Sequence, residues 1–167
     1  IIRAQNFNGT ECGEIKLNVV APKLVLLDTQ TPNITENIKT TVKFQVVDPR
    51  DNTPLESPIH LFSDYATITV RDAYDGLLMS NTLFGAKEHT VSILATNAQY
   101  DAAADKDAKV AVQLKMNDAI VSGSFPIKEA TLESNPRMII IGAPTALTLT
   151  YKDANDKPIV GKMVQIQ

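Results

Sequence analysis

The clearest pattern in the chain is alternation. Between Thr40 and Val47 the apolar residues Val42, Phe44 and Val46 alternate with Thr41, Lys43 and Gln45. That period of two is the signature of a half-buried strand. Asp48, Pro49, Asp51, Asn52 and Pro54 then form a polar break, and Ile59, Leu61 and Phe62 open the next strand. Further strands are predicted at Ile15–Val19, Leu24–Leu27, Thr67–Val70, His89–Leu94, Val110–Met116, Ile120–Ile127 and Met138–Ile141. Asp75-Gly76 and Asn117-Asp118 supply turn chemistry, and three prolines keep Asp48–Pro58 out of any central strand. Leu77–Phe84 reads as a strand or one helical turn, and Gln99–Lys109 as a short helix or a loop. Glu129–Asn135 reads as a polar connection. No segment carries a 3.6-residue apolar stripe over twelve residues. Eight to eleven short strands without covering helices predict an all-β chain of two packed sheets.

Part of this pattern returns. The run TTVKFQVVDPRDNTPLESPIHLF at Thr40–Phe62 compares with ALTLTYKDANDKPIVGKMVQI at Ala146–Ile166. Pro22–Leu27 compares with Pro136–Ile141, and Pro54-Leu55 with Pro158-Ile159. A repeat of this kind divides the chain into residues 1–21, the terminal strand of a preceding unit; 22–134, one complete unit; and 135–167, the opening strands of a following unit. One larger sandwich using every strand is the competing arrangement. The chain opens on IIRAQNF and stops after a strand-like segment, so both ends read as cut from a longer polypeptide.

The two runs resemble a repeated element of bacterial immunoglobulin-like domains, found in invasin- or intimin-type adhesins and in S-layer and other cell-surface proteins. The element is a strand, an Asp with further Asp or Asn, then Pro and an aliphatic residue. Asp48, Asp51, Asn52, Pro54 and Leu55 carry it first; Asp153, Asn155, Asp156, Pro158 and Ile159, with Gly161 after them, carry it again. Ser57 and Pro58 replace the glycine-containing step common in the family. The resemblance implies an immunoglobulin-like β-sandwich at the cell surface or outside the cell. Its role would be a non-catalytic spacer or lattice-forming module, with neighbouring repeats or copies of itself as partners.

Composition narrows the alternatives. The 167 residues are 44% hydrophobic but only 5% aromatic, with no Trp, so the core must rest on Val, Ile and Leu. A net charge of -3 with scattered Lys and Arg gives no basis for nucleic-acid binding. No apolar run reaches the roughly 18 residues of a membrane span. Cys12 is the only cysteine, which excludes an intrachain disulfide and reads as a buried or semi-exposed bystander.

Candidate chemistry is sparse. Asp48, Asp51, Asp153 and Asp156 are candidate oxygen ligands for Ca²⁺, with Asp101, Asp105 and Asp107 as a second group, and solvated turn carboxylates are the plain alternative. No other cofactor is expected. His60 and His89 lack zinc-site spacing and read as surface or sheet-face residues. Ser63, Asp64 and His89 could be written as a triad, but nothing in the sequence places them together. No nucleophile elbow or phosphate loop is present, and no enzyme activity is expected. Asn8-Gly9-Thr10 and Asn33-Ile34-Thr35 fit the N-x-T acceptor pattern, incidental in a bacterial protein. The alternative function is an adhesive module that recognises a protein or glycan through its loops. Tyr65, Tyr74, Phe84 and Tyr100 are its candidate aromatic anchors.

Overall fold

A computed structural model describes residues 2–28, 32–85, 87–98, 108–115, 119–163 and 165. The main body is one nine-stranded sheet folded over on itself. One face consists of β7 (Thr67–Arg71), β9 (His89–Thr96), β5 (Thr40–Val47) and β3 (Lys23–Leu26), all antiparallel. The other consists of β8 (Thr82–Leu83), β6 (Ile59–Phe62), β10 (Lys109–Leu114) and β11 (Ala119–Lys128). The leading strand is shared between the faces. β3 belongs to the first, and β4 (Ile34–Thr35) pairs in parallel with the end of β11 on the second. This is an immunoglobulin-like β-sandwich.

The alternation read from the sequence is what builds the core. Val42, Phe44 and Val46 of β5 and Val91, Ile93 and Ala95 of β9 point inward from one face. Ile59, Leu61, Val110, Val112, Phe125 and Ile127 point inward from the other. Phe44 and Phe125 meet edge to face at 5.5 Å between ring centroids. His89 keeps the inward register of β9, is 3% exposed, and lies 5.3 Å from the Phe44 ring. It is a core residue, not the surface or sheet-face residue expected.

Close approach of β3 to β11 needs a glycine. Gly123 has φ +153, and a Cβ there would sit 2.6 Å from Leu24 Cβ. The Ser122 main-chain N–H then donates to Pro22 O at 2.7 Å. The free side of β7 is closed by an amide. The Val70 N–H donates to Asn81 Oδ1 and Asn81 Nδ2 donates to Ile68 O, each at 3.2 Å. Asn81 thus stands in for a missing strand partner.

Two hairpins flank this body. β1 (Ile2–Gln5) pairs with β2 (Glu11–Ile15), and β12 (Thr131–Asn135) with β13 (Thr148–Lys152). Several sequence readings are corrected here. Lys16–Ala21 is not a strand, so β2 ends earlier than the alternation at Leu17 and Val19 implied. Met138–Ile141 is exposed and forms no strand, and the partner of β13 is the polar stretch Thr131–Asn135. Leu77–Phe84 resolves into a 3-10 turn at Met79–Asn81 followed by β8. Residues 99–107 and Asn117-Asp118 lie outside the described residues. No described helix is long and apolar enough to cross a membrane.

Candidate functional site: the aspartate turns and the joint they make

Three turns in the molecule close in the same way. After β13, the Asp153 carboxylate Oδ1 accepts the main-chain N–H of Asn155 at 2.8 Å and of Lys157 at 2.9 Å. The Asp153 N–H donates to Lys157 O, the Asp156 N–H donates to Asp153 O, and the Ile159 N–H reaches back to Tyr151 O. After β7, Asp72 does the same. Its Oδ1 accepts from Tyr74 N and Gly76 N, its N–H donates to Gly76 O, and the Leu78 N–H returns to Val70 O. After β5, Asp48 Oδ1 accepts from Arg50 N, the Asp48 N–H donates to Thr53 O, and the Leu55 N–H returns to Val46 O, with one extra residue in the loop. Each turn has one residue in the left-handed region: Asp156 (φ 61), Asp75 (φ 66) and Asn52 (φ 58). Asp and Asn tolerate that conformation better than other side-chain-bearing residues. The leading Asp is needed because its short carboxylate can accept from the backbone two and four residues on.

The turns differ in what they present. At the first, Arg50 folds back on Asp48 in a charge-assisted pair that lowers the Asp48 carboxyl to about 2. At the second, Tyr74 projects into solvent, 94% exposed, while Asp75 accepts from Lys39 Nζ at 2.9 Å. At the third, the loop residues turn onto the sandwich. Asn155 Oδ1 accepts the Asn33 main-chain N–H at 2.7 Å, and Asn155 Nδ2 donates to Asn33 O at 2.9 Å. Asn33 Nδ2 donates to Ala154 O at 2.9 Å, and the Ala154 N–H donates to Thr35 Oγ1 at 3.1 Å. Thr35 itself is fully buried. Two open clefts border the contact. One of about 780 Å³ lies between Leu27, Asp28, Lys39, Thr40 and the Asp153 turn, and one of about 300 Å³ between Ile38, Leu132, Tyr151 and Met163.

The candidate residues are placed as follows. The Asp48 and Asp153 carboxylates hold their own turns, and Asp51 Oδ1 accepts from Thr53 N. Asp156 occupies the left-handed position of its turn. No group of three or more His, Cys, Asp or Glu is placed to hold a metal among the described residues. Asp101, Asp105, Asp107 and Tyr100 lie outside the described residues. Tyr65 packs partly against the core beyond the Phe62 end of β6. Phe84, 74% exposed, lies beyond the opposite, Ile59 end, so the two do not share a surface.

Ser63 Oγ donates to Lys109 O, and His89 Nε2 is buried without a partner, so Ser63, Asp64 and His89 form no relay. Burial pushes the His89 imidazole pKa down. His60 Nδ1 lies 3.4 Å from Thr82 Oγ1. Cys12 is exposed on β2, where its thiol donates to Thr10 O at 3.3 Å, in place of the buried or semi-exposed position expected. The Asn33 acceptor pattern is consumed by the contact just described, since its amide nitrogen and Thr35 are both engaged there.

The turn at Asp75-Gly76 was expected, but its closure by Asp72 and the Asn33 contact escaped the sequence reading. The first had a signal: Asp72-Ala73-Tyr74-Asp75 matches Asp153-Ala154-Asn155-Asp156 more closely than the Asp48 run does.

No protein-family model matches the sequence, and no curated protein matches it. Among solved structures, the chain is similar to domains 4 and 5 of the S-layer protein SbsC, with 17% identity, a TM-score of 0.37 and coverage of 67% of this chain. It is also similar to domains 1–6 of the surface layer protein SbsC, with 15% identity, a TM-score of 0.41 and coverage of 87% of this chain. The chain spans 54% of the first structure and 18% of the second.

Proposed function

We propose that this chain is a non-catalytic structural module of a repetitive cell-surface or secreted protein, contributing length and rigidity by joining sandwich units in series. Residues 22–134 are one unit in this reading, residues 1–21 close the unit before it, and residues 135–167 belong to the unit after it. The observation that carries the reading is the Asp153 turn. It repeats the Asp48 closure at the end of a second antiparallel pair, and it is fastened to the preceding sandwich by four hydrogen bonds. The acidic turns serve backbone closure in this reading, and calcium has no part in it.

The test is to fuse two copies of residues 22–130 through residues 131–135 and measure the maximum dimension by small-angle X-ray scattering. A rod close to twice the length of one copy supports the reading. A compact or freely jointed particle overturns it. Retention of the single chain on cell-surface extracts, lost on Tyr74→Ala, would instead favour an adhesive module.

A further inference from the structure

The contact between Asn33 and the Asp153 turn is built from complementary parts. Asn155 presents one side-chain acceptor and one side-chain donor to the N–H and C=O of residue 33, as a neighbouring strand would. Asn33 and Thr35 return the arrangement. Their side chains take the C=O and the N–H of Ala154. Each side therefore satisfies both main-chain groups, N–H and C=O, of one residue of the other. Asn81 closes the edge of β7 by the same device. Thr35 is tied in further, because its N–H donates to Thr40 Oγ1 at 3.2 Å.

We propose that Asn33, Thr35, Ala154 and Asn155 form a directional lock that sets the angle between the sandwich and the β12–β13 hairpin, with Asn-x-Thr as its socket and Ala-Asn as its key. The lock deepens the structural role proposed above and rests on it for its purpose. Its chemistry is selective. Aspartate at 155 lacks the donor for Asn33 O, and a shorter side chain at 33 cannot reach Ala154 O. The other two turns cannot serve as keys. Pro49 has no N–H to give where Ala154 gives one, and Arg50 and Tyr74 stand where Asn155 stands. The socket therefore discriminates among three turns of nearly identical backbone.

Side-chain removal at 155 leaves the turn whole, because closure uses only main-chain groups and the carboxylate of Asp153. The test uses the full chain carrying C12S, with spin labels at K43C on β5 and T148C on β13, both exposed positions. Double electron–electron resonance of the parent should give one narrow distance. Asn155→Ala and Asn33→Ala should each broaden it by about twofold or more, and the double variant should add nothing further, as for two halves of one interaction. The thermal midpoint of the sandwich and the slow amide exchange of Lys157 should stay as in the parent, showing that both bodies remain folded. An unchanged distribution in Asn155→Ala overturns the lock, as does broadening in one single variant but not the other. Neither outcome bears on whether units follow one another in the parent protein, which the scattering experiment decides separately.

Discussion

In the sandwich, β5 closes at the Asp48 turn and hides Val42, Phe44 and Val46; in the flanking hairpin, β13 closes at the Asp153 turn and leaves Leu149 and Tyr151 only half covered. The local closure is nearly the same in both places, down to the bridges Val47–Pro54 and Lys152–Pro158 and the returning amide one residue past each. What differs is the opposing layer. β5 faces β10 and β11 across a packed interior, whereas β13 has β12 beside it and is joined to the sandwich by the hydrogen bonds of Asn33, Thr35, Ala154 and Asn155. An aspartate turn therefore shapes a chain reversal and supplies only a small part of the stability. The larger part comes from the second sheet.

Emptying the interior breaks that contrast most severely. Phe125→Ala should cost about 3–5 kcal/mol in urea denaturation. It should also abolish amide protection at Ala154, whose N–H donates to Thr35 Oγ1 of the sandwich. Leu132→Ala, in the hairpin, should leave the sandwich transition in place.

Acid sharpens the contrast next. The buried imidazole of His89 resists a proton that the unfolded chain accepts from about pH 6.5 downward. The folded pKa is lowered, so the unfolded state binds more protons and stability falls as the pH drops, at most by about 1.4 kcal/mol per pH unit. His89→Leu should flatten this slope in urea titrations across that range. The hairpin responds later. Lys152 holds the Glu133 carboxyl below its usual range, so that pairing is present above the ordinary carboxylate pKa and is lost as the pH falls through the depressed value. Its amide protection should outlast the onset of sandwich weakening.

The smallest effect is expected at the first turn. Arg50 and Asp48 pair at the surface, where solvent screens them. Arg50→Ala should leave the urea midpoint where it is, while Asp48→Ala should lower it by removing the acceptor for the Arg50 N–H. Equal shifts in the two variants would assign the turn to the ion pair instead.

Much of the sandwich could be read before it was seen, because its strands are half-buried and burial writes a period of two into β5, β6, β9 and β10. The same rule, carried one step further along β9, places His89 with Val91 and Ile93, so its burial was legible although it was read otherwise. The hairpin was not legible for the opposite reason. Thr131–Asn135 is open on both sides, so nothing selects alternation there, and the apolar run Met138–Ile141 drew the strand assignment away from it. The joint's local traces pointed elsewhere, Asn33-Ile34-Thr35 to an N-x-T acceptor pattern and Asn155 to the repeated turn. Asn33 and Asn155 are 122 positions apart, and each looks like an ordinary loop residue until the fold brings them together.

The parallel pairing of β4 with β11 has a mechanical consequence. Ile34 and Thr35 lie beside Ile127 and Lys128, so the first and last strands of the sandwich run side by side in the same direction. Tension applied through the chain on either side of the unit pulls these strands past one another along their length. Their hydrogen bonds, including that from Glu36 N to Lys128 O, are then loaded together in shear instead of being peeled apart one by one.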